Sequence, residues 1–434
     1  MSNIKDRAKF HLSIAPPLAV NFVGTLGFSI VTPFLVVLVA QWGGNAVIYG
    51  VLAATYSFFQ LFGAPVLGRM SDRVGRRRVL LLSQLGTVVS WGVFLIAFAL
   101  PATKVLDVES RWLGDFVLTL PLMILFVARA ADGLTGGNVS VSNAYLADIT
   151  PDEDRSKNFG QMAVSSNLGF VLGPALAGLL GATLLGEILP VLAAFIISAL
   201  ALALIQFGLV DIAPSSISET LEQPNACDLY GQEHKPAYAV QCKKAEGIRE
   251  ILELPNMPAL LAVNFLVMLG FSFFYVAFPV HAVDGLGWSV TQIGTYFAVL
   301  SLAMIVVQGP ILSRASNRYG DRLLMSCGGF VLSVGFALLL FGSTALIYLS
   351  ALLVALGNGL MWPTFMSVLS KAAGSRLQGT IQGFAQSAGA VASIFGLIAG
   401  GVFYVSLGAA VFPVATFIIA LSSVLAATYR PSSD

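Results

Sequence analysis

The sequence predicts an all-α polytopic membrane protein with 12 transmembrane helices arranged as two six-helix halves. Of its 434 residues, 57% are apolar and only 10% charged. A soluble domain carries about 25% charged residues, so a water-soluble globule of this size is excluded. Apolar stretches near the roughly 20 residues that a helix needs to cross a bilayer recur along the chain. Lys and Arg collect in alternate connections between those stretches, which sets both the span count and the orientation.

The first six expected spans are 14–40, 47–68, 79–100, 116–146, 159–182 and 188–210. The second six are 257–280, 291–313, 323–342, 344–369, 379–404 and 406–428. The chain therefore reads as a first half, residues 1–210, a polar linker, 211–256, and a second half, 257–434. The linker is rich in charge, Pro and Ser, with one short amphipathic segment at Ile248–Leu254. Lys5, Arg7 and Lys9 precede the first span, and no small-residue cleavage site ends a short apolar core. It is expected to be a retained span and not a removable signal.

With the N-terminus placed in the cytoplasm, 20 of the 23 basic residues fall on the cytoplasmic side. Only Lys104 and Arg111 fall outside. Both termini and the linker are accordingly expected in the cytoplasm of a multi-pass cell-membrane protein, the inner membrane in a Gram-negative cell. One basic residue, Arg129, is left inside the apolar spans, and Asp132 is the one carboxylate deep within them. Burying a charge there costs several kcal/mol unless it is paired or faces a wet cavity. Their spacing of three puts them on adjoining faces of one helical turn.

The net charge of +1 argues against nucleic acid, whose binders concentrate basic residues on one face. Cys227, Cys242 and Cys327 are too few and scattered for a disulfide framework. Cys227, His234 and Cys242 are irregularly spaced and lack a fourth ligand, so no metal site is expected. The three histidines, His11, His234 and His281, stand in separate regions, and no clustered nucleophile or ligand set points to an enzyme. No cofactor is expected. The expected partners are a small-molecule substrate, protons and the lipid bilayer, with the chain acting as a monomer.

The loop after span 2 carries Gly68, Asp72, Arg73, Gly75 and Arg77. The loop after span 8 repeats it at a constant offset: Arg73, Gly75 and Arg77 map onto Arg318, Gly320 and Arg322, and Asp72 onto Asn317. Parallel six-span repeats are one way in which transporters are built, with substrate bound at the midplane between them. The stretch Gly68–Leu80 resembles the signature loop of the major facilitator superfamily, with Met70 in place of the usual Leu. Span 4 resembles the family's R-x-x-x-G motif through Arg129, Gly133, Gly136 and Gly137, and Asp132 stands where many relatives carry Gln. Span 5 resembles G-x-x-x-G-P-x-x-G-G, a motif associated with antiporters, through Gly169, Gly173, Pro174, Ala177 and Gly178. Segments 144–150, 287–294 and 378–383 are similar to counterparts in bacterial tetracycline/proton antiporters, although the acids that those proteins carry in helices 1, 3 and 9 have no match here.

That resemblance implies the 12-span drug/proton antiporter branch, and a proton-coupled exporter of a small amphipathic molecule working by alternating access. A proton-coupled transporter of a sugar, organic acid or siderophore is the alternative, and a non-transporting sensor or scaffold a third. Asp72 with the basic loop residues is expected to latch the cytoplasmic face, and Pro174 with its small neighbours to form a tight, bent seam. Arg129 and Asp132 are expected to carry the proton. Burial favours the neutral carboxyl and the guanidinium favours the ionised one, so moving one against the other loads and unloads a proton; a permanent ion pair is the rival. The polar and aromatic residues Asn21, Gln60, Trp91, Asn138, Asn264, Tyr275, Gln308, Asn358 and Trp362 form a pool of cavity candidates. Each of them serves equally well as helix-to-helix packing.

Overall fold

The computed structural model describes residues 14–150, 155–210, 252–254 and 256–429. The basic N-terminal segment and nearly all of the expected linker, with the proposed metal-free Cys227, His234 and Cys242, lie outside them.

Span 1 is built as two helices, α1 (Ala15–Ser29) and α2 (Val31–Gln41). Pro33 has no N–H to give the Ser29 carbonyl, so the helical ladder is weakened where they join. Asn45 caps α3 (Ala46–Val74), accepting hydrogen bonds from the amides of Val47 and Ile48. Gly75 then turns the chain into α4 (Arg76–Ala99) with φ of +107°, a conformation that side chains with a Cβ avoid.

Span 4 departs from the expected single helix over 116–146. Its first residues, Phe116–Thr119, form strand β2, paired antiparallel with β1 (Lys104–Val108). A short apolar run fits a strand as well as a helix. The helix proper is α5 (Leu120–Leu134), and it stops at Thr135-Gly-Gly before α6 (Asn138–Ile149) resumes. Next come α7 (Arg155–Gly181), with Pro174 inside it, and α8 (Ile188–Gly208).

The second half opens with α9 (Met257–Asp284). A Ser289/Gln292 capping box starts α10 (Val290–Val306). The chain widens into a π-turn at Val307–Ile311 and continues as α11 (Leu312–Arg318). After α12 (Asp321–Leu338), one helical run, α13 (Thr344–Leu407), covers both expected spans 10 and 11. The backbone keeps its helical hydrogen bonds through the short connection expected to break it. Helix α14 (Val411–Ala427) ends the described chain.

Among the described residues, nine stretches have the length and apolar composition to cross a membrane. The last of them, Phe384–Ala427, has 44 residues, about twice what one crossing needs. Spans 1 and 4, each divided between two helices, are not among the nine, and these features account for the difference from twelve. Large apolar side chains point outward along the helices, including Phe207 (86% exposed) and Phe417 (68%). Lipid is the solvent that makes such a surface stable.

The two halves of the chain meet along α3 with α13 and along α7 with α10. Both seams are backbone to backbone at glycines. A Cβ on Gly50 would collide with the Leu397 carbonyl, and one on Gly401 with the Ala46 carbonyl. A Cβ on Gly294 would lie 2.6 Å from the Pro174 carbonyl oxygen and 2.8 Å from Gly178 Cα. These contacts fall near the ends of the helices away from the basic loops. Thr291 adds a hydrogen bond across the second seam, donating to the Gly178 carbonyl at 2.9 Å.

Candidate functional site: a shared cavity beside a buried charge pair

A cavity of about 560 Å³ lies between the two halves and takes its lining from both. Helix α3 supplies Tyr49, Ala53, Tyr56 and Ser57, spaced i, i+4, i+7 and i+8 on one helical face. Helix α9 faces them with Val267, Phe271 and Tyr275, and α10 with Phe297, Leu300 and Met304. Most of the surface is apolar or aromatic with a few polar groups, the usual make-up of a small-molecule pocket.

Arg129 on α5 reaches the cavity wall. Its Nη1 lies 3.9 Å from Asp132 Oδ2, both side chains being largely buried, a loose ion pair and not a bidentate one. The guanidinium sits 4.6 Å from the centre of the Tyr56 ring, a cation–π contact that offsets part of its desolvation. Its Nε is buried without a hydrogen-bond partner among the described residues. Thr87 of α4 lies beside the Asp132 carboxylate. Arg129 is among the described residues of the lining, and Asp132 is not.

The break after α5 is held by neighbouring helices. Ser83 accepts from the Gly137 amide at 3.2 Å and donates to the Thr135 carbonyl. Gln60 donates to the Gly136 carbonyl at 3.2 Å and to the Tyr56 hydroxyl at 3.0 Å. Non-helical backbone at membrane depth is stable only where protein groups satisfy it in this way. The glycines have a second use: a Cβ on Gly133 would meet the Tyr56 carbonyl, and one on Gly137 the Leu67 side chain 2.8 Å away.

Of the nine cavity candidates, Tyr275, Gln308, Asn358 and Trp362 line the cavity. The other five are placed elsewhere. Asn21 donates to the Met162 carbonyl and Ser166 Oγ, tying α1 to α7. Gln60 clamps the span 4 break. Asn138 donates to Gln84, which donates to the Ser198 carbonyl of α8. Asn264 donates to the Ala385 carbonyl at 2.7 Å, joining α9 to α13. Trp91 packs in the core on Phe94. An amide inside an apolar span needs a partner, and for these four amides the nearest partner is another helix and not a ligand.

In the expected antiporter motif, Gly169 and Gly173 pack within the first half. A Cβ on Gly169 would lie 2.8 Å from the Leu26 amide nitrogen, and one on Gly173 would collide with Ser29 Oγ, next to the α1–α2 junction. Ala177 is fully buried, and Pro174 and Gly178 face Gly294 across the seam. In the basic loop, Arg77 donates to the carbonyls of Ile205 and Gln206 at the end of α8, where the helix dipole favours a cation. The side chains of Asp72 and Arg73 lie outside the described part. A Cβ on Gly68 would meet open space. In the repeat, Gly320 has φ of −70°, so the positive φ of Gly75 is not shared; Arg318 lies over its neighbour Tyr319, and Asn317 and Arg322 are exposed.

Sequence reasoning did not single out Tyr49, Met268, Phe271 or Met304 of the lining, nor Thr87 beside Asp132. The helical spacing of Tyr49 and Tyr56 was a usable signal for the first. A threonine in an apolar span carries no comparable signal.

Membrane-crossing helices from both halves of the chain around a shared cavity define a multi-pass membrane transporter. More particularly, the chain belongs to the Major Facilitator Superfamily, whose family model matches residues 18–257 and 260–434. It is 30% identical over 352 residues to the class C tetracycline resistance protein of Escherichia coli, covering 80% of this chain and 78% of that one. The fold is similar to that of the human organic anion transporter MFSD10, with a TM-score of 0.63 and 21% identity over 96% of this chain and 99% of the other. A D-xylose-proton symporter aligns with a TM-score of 0.69 and 14% identity over 96% and 97% of the two chains.

Proposed function

We propose that this transporter exports a small amphipathic molecule in exchange for protons, by alternating access to the cavity between its two six-helix halves. The observation that carries this reading is the placement of Arg129, paired with Asp132, at the wall of a largely apolar cavity lined by both halves. The tetracycline resistance relatives support export as the direction.

Asp132 is the group that takes and gives the proton, and Arg129 sets how readily it does so. Arginine itself stays protonated. As the halves rock, separation of the pair leaves an isolated carboxylate in a low-dielectric setting, which favours proton uptake; renewed pairing favours release. Substrate in the cavity lies against Arg129 and Tyr56, so its arrival and the proton state of Asp132 are linked reciprocally. The glycine seams at one end open when the basic loop end closes, and the loop carrying Asp72 and Arg73 latches the closed state. The termini lie in the cytoplasm, and the monomer is the working unit.

Inside-out vesicles test this reading. Wild-type vesicles are expected to accumulate amphipathic compounds when a proton gradient is imposed and to lose them when it is collapsed. Accumulation that ignores the gradient for every compound screened overturns proton coupling.

A further inference from the structure

The cavity is chemically divided between the two halves. Among its described lining residues the one charged side chain, Arg129, comes from the first half, and the two carboxamides, Gln308 and Asn358, come from the second. Gln308 lies in the π-turn Val307–Ile311 of span 8. A π-turn inserts one extra residue into a helical turn and re-aims the side chains around it, which is why such turns gather at functional sites. Pro310, within the turn, lacks the N–H that a regular helix would use there.

The facing helix α13 is shaped to receive this turn. A Cβ on Gly359 would lie 2.7 Å from Val307 Cγ1 and 3.7 Å from Gln308 Cγ, so the missing side chain leaves room for the side chains that the turn presents. Next to it, Asn358 directs its amide to Met304 Sδ at 3.8 Å. A thioether is a weak acceptor, and the contact leaves most of the hydrogen-bonding capacity of this amide for another partner. Met304 and Gln308 are one turn apart on the same face. Trp362, one turn beyond Asn358 on α13, supplies a flat apolar surface to the same cavity.

We infer that Gln308, set by the π-turn, and Asn358 form the specificity pole of the cavity, reading an uncharged hydrogen-bonding group of the substrate while Arg129 and Asp132 handle the proton. The substrate class is then a neutral molecule with a flat apolar body and a polar head of amide, carbonyl or hydroxyl type. This inference rests on the proposed transport function, but it concerns residues that the coupling step does not use.

Chloramphenicol, neutral and rich in hydrogen-bonding groups, and N-phenyl-1-naphthylamine, neutral and nearly devoid of them, are suitable probes. Binding of each to the purified full-length protein is measured by equilibrium dialysis, together with proton release on binding. Wild-type protein is expected to bind chloramphenicol more tightly than N-phenyl-1-naphthylamine. Gln308→Met keeps length and flexibility but removes the amide, and Asn358→Leu does the same for its partner. Each is expected to weaken chloramphenicol binding about 3- to 10-fold, the range for losing one hydrogen bond. Binding of N-phenyl-1-naphthylamine and the protons released per molecule bound should stay at the wild-type level, which also shows that the variants fold. Unchanged chloramphenicol binding in both variants, equal loss for both probes, or a wild type that does not prefer chloramphenicol overturns the inference. Failure of the transport reading shows separately, as accumulation in inside-out vesicles that ignores the proton gradient for every compound screened.

Discussion

Arg129 Nη1 lies 3.9 Å from Asp132 Oδ2, one turn along the same short helix, with the guanidinium stacked on Tyr56 and Thr87 beside the carboxylate. The pair is close enough to neutralise itself and loose enough to part. Asp132→Asn is expected to abolish substrate-linked proton release and pH-driven accumulation, with gradient-independent exchange of substrate retained. Proton release from purified protein and uptake into inside-out vesicles measure the two effects. Accumulation driven by pH alone in this variant would remove Asp132 from the proton pathway.

The seam between α7 and α10 has no space for a side chain at Gly294, where a Cβ would sit 2.6 Å from the Pro174 carbonyl oxygen. Gly294→Leu is expected to destabilise this closed end by about 1–3 kcal/mol, the usual cost of overpacking, and to reduce transport severely. Gly173→Leu should do the same from the other side of α7, by pushing on Ser29 at the α1–α2 junction. Crosslinking across the seam, combined with transport assays, reads both changes. Normal gradient-driven transport in both variants would show that the seam does not govern the cycle.

Ser83 holds the interrupted backbone of span 4 at two points. Ser83→Ala removes one hydrogen bond from each of the Gly137 amide and the Thr135 carbonyl, which still bond to each other, and the expected cost is about 0.5–1.5 kcal/mol. Thermal unfolding in detergent should show a lower midpoint, while Thr87→Val, which touches Asp132 and not the break, should change proton release more than stability. An unchanged midpoint in Ser83→Ala would mean that the bond between the Gly137 amide and the Thr135 carbonyl holds the break without the hydroxyl.

The basic loop gives a fourth prediction. Arg77 is engaged with the last carbonyls of α8, within its own half. Arg77→Ala is therefore expected to loosen the α4–α8 packing and lower thermal stability. Asp72→Asn should impair transport and leave expression and topology nearly intact, since the basic residues remain. Wild-type transport rates in Asp72→Asn would reduce the loop to a topology signal.

Much of this architecture was legible because lipid imposes a simple rule: a crossing helix must be apolar for about 20 residues. Spans 2, 3 and 5 to 9 correspond to helices close to their expected positions. The isolated pair Arg129 and Asp132 stood out for the same reason, since a charge in an apolar span is costly wherever it faces. Small-residue motifs at 169–178 likewise announced close helix packing.

The partners of those residues were settled only by the tertiary structure. Composition cannot tell whether an amide in a span faces a ligand or another helix, because both satisfy the same hydrogen bonds. Packing sent Asn21, Gln60, Asn138 and Asn264 to neighbouring helices and Gln308 and Asn358 to the cavity. Span 4 read as one helix because its 116–119 strand is as apolar as a helix. Its break at Thr135–Gly137 became visible through Ser83 and Gln60, which lie far away in the sequence. Thus the chain's own pattern determined which segments lie in lipid and where charge is buried. The packing of helices distant in sequence decided what those buried groups face, since that depends on contacts such as Gln60 with Gly136 and Asn264 with Ala385, 76 and 121 positions apart.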